Sequence, residues 1–203
     1  MIKYKIAFMC IIGIIIIAVL FQSFVSKSTN ETEQQKYSVV RNYKEFEIRF
    51  YPTATIATIN SDAKNYKELS GSGFRKLANY IFGGNEASKN ISMTAPVHMV
   101  IDDSLSTMSF VMPSDYTLET LPRPNDPTLS IKNSEEEYVA ALRFGGFASD
   151  KDINTYREKL RSLLKENGIT AYGNYRYYGY NPPYQISNRR NEIVVAVKWE
   201  KGN

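Results

Sequence analysis

The sequence predicts an α+β domain, sheet-rich with two helices and two similar halves, held behind a single membrane-crossing helix. Three observations carry this. A 21-residue uncharged stretch, Ile6 to Ser26, stands near the N-terminus. Several later segments alternate apolar and polar residues with the period of a half-buried strand. Two segments instead show apolar residues at i, i+3, i+4 and i+7, and each ends at glycine and is followed by proline at a similar distance. Length agrees, since 203 residues make one domain plus an accessory segment. With 23% charged and 43% hydrophobic residues, the bulk of the chain is neither disordered nor coiled coil.

The first element is the uncharged stretch, with seven isoleucines between positions 6 and 17. Roughly 20 apolar residues at ~1.5 Å each cross the ~30 Å hydrocarbon core. A cleaved secretory signal has a shorter apolar core of ~7–15 residues and a small-x-small exit. The exit here is Phe24-Val25-Ser26-Lys27-Ser28, so we read residues 1–26 as an uncleaved anchor that enters the membrane through residues 6–26. Lys3 and Lys5 make the leading end basic, which predicts a cytoplasmic N-terminus and an extracytoplasmic domain. Cys10 is the only cysteine, so the domain carries no disulfide. Residues 27–36, KSTNETEQQK, read as a polar tether, and the domain occupies residues 37–203.

Within the domain, Phe46, Ile48 and Phe50 alternate with Glu47, Arg49 and Tyr51, and Pro52 interrupts; Tyr37–Asn60 therefore reads as two strands with a corner. A helix follows, with Ser72 as N-cap, Phe74, Leu77, Ala78 and Ile81 as its apolar stripe, and Gly83-Gly84 as its end. Strands are expected over Ile91–Ile101 and Thr107–Met112, then a loop holding Pro122, Pro124 and Pro127. The second half repeats the order: strands over Thr128–Lys132 and Glu137–Phe147, then a helix over Asp150–Asn167. Ser149 and Asp152 resemble a capping box at its start. A tyrosine-rich strand to Tyr180 and a last strand, Glu192–Trp199, complete the domain.

Charge excludes one class of partner. Removing Lys3 and Lys5 from the 25 basic residues leaves an excess of only two over the 21 acidic ones. That is too little for a nucleic-acid footprint, and no nucleic-acid partner is expected.

The segment Gly73–Val97, GFRKLANYIFGGNEASKNISMTAPV, resembles the signature of the SOUL family of heme-binding proteins. The matching residues are Glu47-Ile48-Arg49 with Tyr51, Phe74-Arg75 with Leu77 and Tyr80-Ile81, and Ile91 with Met93-Thr94 and Pro96-Val97. Tyr180-Asn181-Pro182-Pro183 and Arg189-Arg190-Asn191-Glu192 match late in the chain. The resemblance covers about Tyr37 to Trp199. It implies a distorted antiparallel β-barrel built from two repeats and flanked by two helices. It also implies non-enzymatic binding of heme or a related tetrapyrrole.

Candidate ligand contacts follow from the chemistry of a flat anionic ring. Its two propionates want cations, offered by Arg75 and Lys76 with Asn79 and Tyr80 on the first helix, and by Arg189 and Arg190 late in the chain. Tyr178, Tyr180 and Tyr184 flank the Pro182-Pro183 loop and would supply aromatic walls. The site is thus expected as a groove between the first helix and the loop Tyr178–Arg190. His98 is the only histidine. In one reading it is a partly exposed strand residue sharing a face with Thr94 and Val100, the commoner outcome for a lone histidine; in the other it is an axial heme ligand. Alternative functions are a binder or sensor of another apolar small molecule, or a hydrolase using a carboxylate in the groove.

Overall fold

A computed structural model describes residues 2–102 and 104–200. The side chains of residues 2, 3, 6 and 7 are outside the described set, so the expectation attached to Lys3 lies there too. The elements are α1 (Ile2–Glu31), β1 (Ser38–Asn42), β2 (Glu47–Tyr51), β3 (Thr55–Ser61), α2 (Tyr66–Ile81), β4 (Val97–Val100) and β5 (Ser106–Val111). After a long connection come β6 (Leu129–Asn133), β7 (Glu137–Phe144), α3 (Asp150–Glu166), β8 (Ala171–Gly179) and β9 (Asn191–Val197). The chain is α+β, as expected.

All nine strands join one antiparallel sheet in the order β1-β2-β7-β9-β8-β4-β5-β3-β6. The sheet is open, with β1 and β6 as its edges, where the resemblance implies a barrel. Strand alternation gives the sheet two faces. One face carries the main core, including Ile48, Ala57, Ile59, Val97, Met99, Met108, Ile193 and Val195, covered by α2 and α3. The other carries a smaller cluster of Tyr51, Ala95, Val139, Ala141, Tyr178, Tyr180 and Val194.

Helix α2 starts seven residues before the sequence suggests. Asn65, not Ser72, is its N-cap, accepting from the Glu68 backbone N–H at 2.9 Å. The Glu68 carboxylate accepts in return from the Lys64 N–H and the Asn65 amide. Ser72 lies inside the helix and donates to the Glu68 carbonyl. Gly71 and Gly73 weaken the apparent helix signal, but Gly73 has a packing reason. A Cβ there would stand 3.0 Å from Ile59 Cδ1, so glycine lets α2 approach β3 closely. The stripe is right in register: Leu77 and Ile81 are fully buried and Phe74 is half-buried. At the far end Gly83 takes φ +102, the left-handed conformation that stops a helix.

Helix α3 matches its expectation. Ser149 accepts from the Asp152 N–H at 3.2 Å, and the Asp152 carboxylate accepts from the Ser149 N–H at 3.0 Å. Ser149→Ala should therefore lower stability by about 1 kcal/mol, read as a shift of the urea midpoint at unchanged slope.

Two strand boundaries differ from expectation. Tyr37–Asn60 holds three strands rather than two, because β1 and β2 form a hairpin closed by the Tyr43 N–H donating to the Phe46 carbonyl. No glycine or proline marks that turn. The expected strand Ile91–Ile101 shrinks to β4, since Pro96 has no N–H to give a ladder.

Helix α1 is long and apolar enough to cross a membrane, by length and composition. Its side chains are mostly exposed: Ile14 is 66% and Ile17 67% accessible, whereas a core helix would hide them. It continues through Glu31, so half of the expected tether is helical. The next residues lie along the domain. Gln35 N–H donates to the Ala95 carbonyl at 2.8 Å, Ala95 N–H donates to the Glu33 carbonyl at 2.9 Å, and the Glu33 carboxylate accepts from Ser114 N–H.

Candidate ligand-binding site

The sheet face away from the helices carries a buried charged network. Arg49 on β2 donates to both Glu192 oxygens on β9, at 2.8 and 3.1 Å, and to Glu47 at 2.7 Å. Arg190 donates to Glu192 at 2.8 Å and also reaches Gln34 and Tyr37. The Tyr180 hydroxyl donates to Glu192 at 2.8 Å. Glu192 is 0% exposed. Burial alone would raise its carboxyl, but the Arg49 hydrogen bonds and charge, then Arg190 and Tyr180, hold it below the ordinary value. A carboxylate held low and accepting from three donors is a weak proton acceptor. Among the described residues no group of three His, Cys, Asp or Glu side chains could hold a metal ion.

Beside it, Arg176 on β8 pairs with Glu137 on β7. The His98 ring on β4 stacks on Tyr178 at 3.9 Å between centroids and 8° between planes. His98 as a residue is partly exposed and lies on the face away from the main core, as its strand position predicts. Its Nε2, however, is enclosed and has no hydrogen-bond partner. Burial, with the Arg176 charge second, lowers its pKa to about 3, so the ring is neutral.

The other expected ligand residues fall into two groups. On α2, Arg75, Lys76 and Asn79 are exposed. Arg75 has no hydrogen bond or ion pair among the described residues, whereas Lys76 donates to Thr128 and lies 4.0 Å from Asp126. Tyr80 turns inward; it is 1% exposed and its hydroxyl donates to the Pro122 carbonyl. In the late segment Tyr178 and Tyr180 are buried in the smaller cluster, and Tyr184 is 59% exposed. Arg189 donates to the Pro182 and Gln185 carbonyls and covers Phe147, which closes the loop on itself. No hydrogen bond, ion pair or ring contact joins the four α2 residues to Tyr178, Tyr180, Tyr184, Arg189 or Arg190 among the described residues.

Two features escaped the sequence reading. Phe82, at the C-cap of α2, is 66% exposed. It follows Arg75 and Asn79 at helical spacing, so the three share one outward face. The Arg49–Glu192 pair joins two signature segments 143 residues apart, and nothing in the sequence marks them as partners.

The class is an α+β fold with an open nine-stranded antiparallel sheet and two helices on one face. The chain belongs to the SOUL heme-binding protein family, whose model matches residues 32–196. It is 32% identical to heme-binding protein 2 of Homo sapiens over 164 residues, covering 76% of this chain and 79% of that protein. It is 31% identical to heme-binding protein 1 of Xenopus laevis, covering 73% and 81%. Among solved structures the EcmrR C-terminal domain has a TM-score of 0.57 at 10% identity, covering 81% of this chain and 99% of that one. A hydrolase from Listeria innocua has 0.54 at 10% identity, covering 78% and 94%. These two show the fold alone.

Proposed function

We propose that this protein is a membrane-tethered, non-enzymatic binder of heme or a related tetrapyrrole. The observation that carries the reading is the family match across nearly the whole domain, joined by relatives named for heme binding. The tether is α1, spanning the membrane with its N-terminus cytoplasmic and the domain outside. The fold reads as two ββαββ units, β2-β3-α2-β4-β5 and β6-β7-α3-β8-β9. Outward from the β4–β8 pair the sheet order runs β5, β3, β6 on one side and β9, β7, β2 on the other, equivalent strands except that the units exchange their first strands.

We place the ligand on the outward face of α2, the part of the expected groove that keeps an unpaired cation, since the sheet lies between that helix and Tyr178, Tyr180 and Arg190. Arg75 is a free cation for a propionate, and exposed Phe82 on the same helix face is apolar surface for the macrocycle. Iron ligation by this chain fits poorly. The His98 Nε2 is enclosed, and burial pushes the Tyr178 and Tyr180 phenols well above their ordinary value, against phenolate formation. Affinity then comes mainly from burial of the ring, at ~25 cal/mol per Å², with the propionate contacts adding less.

Hemin titration of the protein, followed at the Soret band beside a panel of non-porphyrin apolar compounds, tests this. Saturable hemin binding supports the reading; saturation only by a non-porphyrin compound replaces it with the small-molecule alternative. Arg75→Ala should weaken hemin by about 1 kcal/mol, the scale of an exposed ion pair. His98→Ala should leave the Soret position unchanged, and a large shift there would make His98 the iron ligand.

A further inference from the structure

We propose that the loop Pro183–Ser187 is a membrane-contact surface, seated in the headgroup zone of the same bilayer that holds α1; this rests on the anchor reading above. Three observations place it there.

The first is a rigid link between loop and anchor. The Gln22 amide donates to the Tyr184 carbonyl at 3.0 Å and accepts from the Ile186 N–H at 2.9 Å. One side chain thus clamps two loop peptides. Two helical turns further along α1, the Thr29 hydroxyl donates to the buried Gln185 amide oxygen at 2.8 Å.

The second is depth. Gln22 lies inside the uncharged stretch, four residues before its end at Ser26. At ~1.5 Å per residue that is about 6 Å along the helix. Gln22 and Ser23 are also the first polar side chains after the run that ends at Phe21, so Gln22 and the peptides it holds lie at the margin of the hydrocarbon core.

The third is chemistry. Tyr184 is 59% and Ile186 66% exposed, and Phe147, under Arg189, is 58% exposed. Bulky apolar side chains held out together beside an apolar helix suit the membrane boundary, where tyrosine is enriched. Ser187 and Asn188 turn instead toward α1. With it they line an open cleft of about 490 Å³, apolar at Ile15, Ala18 and Val19 and polar at Gln22, Ser23 and Ser26. The wall changes character at the level where acyl chain gives way to headgroup.

Nitroxide labelling of the full chain tests this in vesicles of phosphatidylcholine and phosphatidylglycerol. Cys10 is the only cysteine, so Cys10→Ser gives a clean background for single cysteines at Ile186, Tyr184, Leu105 and Ile12. Leu105 is exposed in the β4–β5 connection and reports the aqueous reference. Labels at Ile186 and Tyr184 should be several-fold less accessible to a water-soluble nickel chelate than the label at Leu105, and more accessible to oxygen. Nickel accessibility at both loop sites equal to that at Leu105, with Ile12 shielded, would overturn the loop placement while leaving the anchor intact. Nickel accessibility at Ile12 as well would remove the anchor and this inference with it. Both loop side chains are exposed, and unchanged far-UV circular dichroism confirms that the labelled chains fold.

Discussion

Glu192→Ala should destabilise the protein by about 3–5 kcal/mol, the cost of breaking a buried ion pair from one side. Glu192 accepts from two guanidinium groups and one phenol, and it is fully enclosed. Without it, the one carboxylate still paired with Arg49 is the partly exposed Glu47, and Arg190 is left close to a second cation. Urea unfolding measures the loss. Replacing the pair together, Arg49→Met with Glu192→Leu, should cost less than the single change, because no buried guanidinium on β2 is then stranded and Glu47 keeps its access to solvent. Equal losses would mean that packing, not charge, sets the effect.

The same residue predicts an acid limb. Its folded pKa lies below the ordinary 4.5, so its contribution is complete above that value and is lost as pH falls through the lower folded value. Glu192→Gln should flatten the fall in stability below pH 4.5. An unchanged acid limb in that variant would assign the fall to other carboxylates.

The legible parts of the fold were those whose signal is local. Helix α3 announces its start through Ser149 and Asp152 and its end through Gly168, and the structure keeps both. The face of β4 that carries His98 followed from alternation alone. The start of α2 was obscured because Ser72 imitates a cap between two glycines, while the true signal, Asn65 with Glu68, lay two turns upstream. The candidate site was less legible. Its residues stood in the signature segments, but their partners are set by the sheet. Only strand pairing brings Arg49 to Glu192, and only the second cluster buries Tyr178 and Tyr180. Arg190 and Arg189 looked like free cations in the sequence; the fold gives each an internal partner. Exposure could be read for Arg75 because a helix face needs no distant strand to define it.

Leu77→Ala should cost about 2–5 kcal/mol, the range for emptying a core leucine site. Leu77 is fully buried in the middle of α2. One turn earlier, Gly73 brings the helix close against Ile59 and Met108, so the backbone has little freedom to sink into the space left behind. That places the expected loss toward the upper half of the range, since sites that cannot relax keep the cavity. Urea denaturation checks it, and a change below about 0.5 kcal/mol would put this face in solvent. The comparison with Arg75→Ala separates the two sides of one helix. Leu77 faces the sheet and Arg75 faces outward, only two positions away. Loss of Leu77 should therefore lower stability with little change in hemin affinity of the folded protein, and loss of Arg75 should do the reverse. If both variants lost affinity and stability in parallel, hemin would be reporting the integrity of α2 rather than contacts on its outer face.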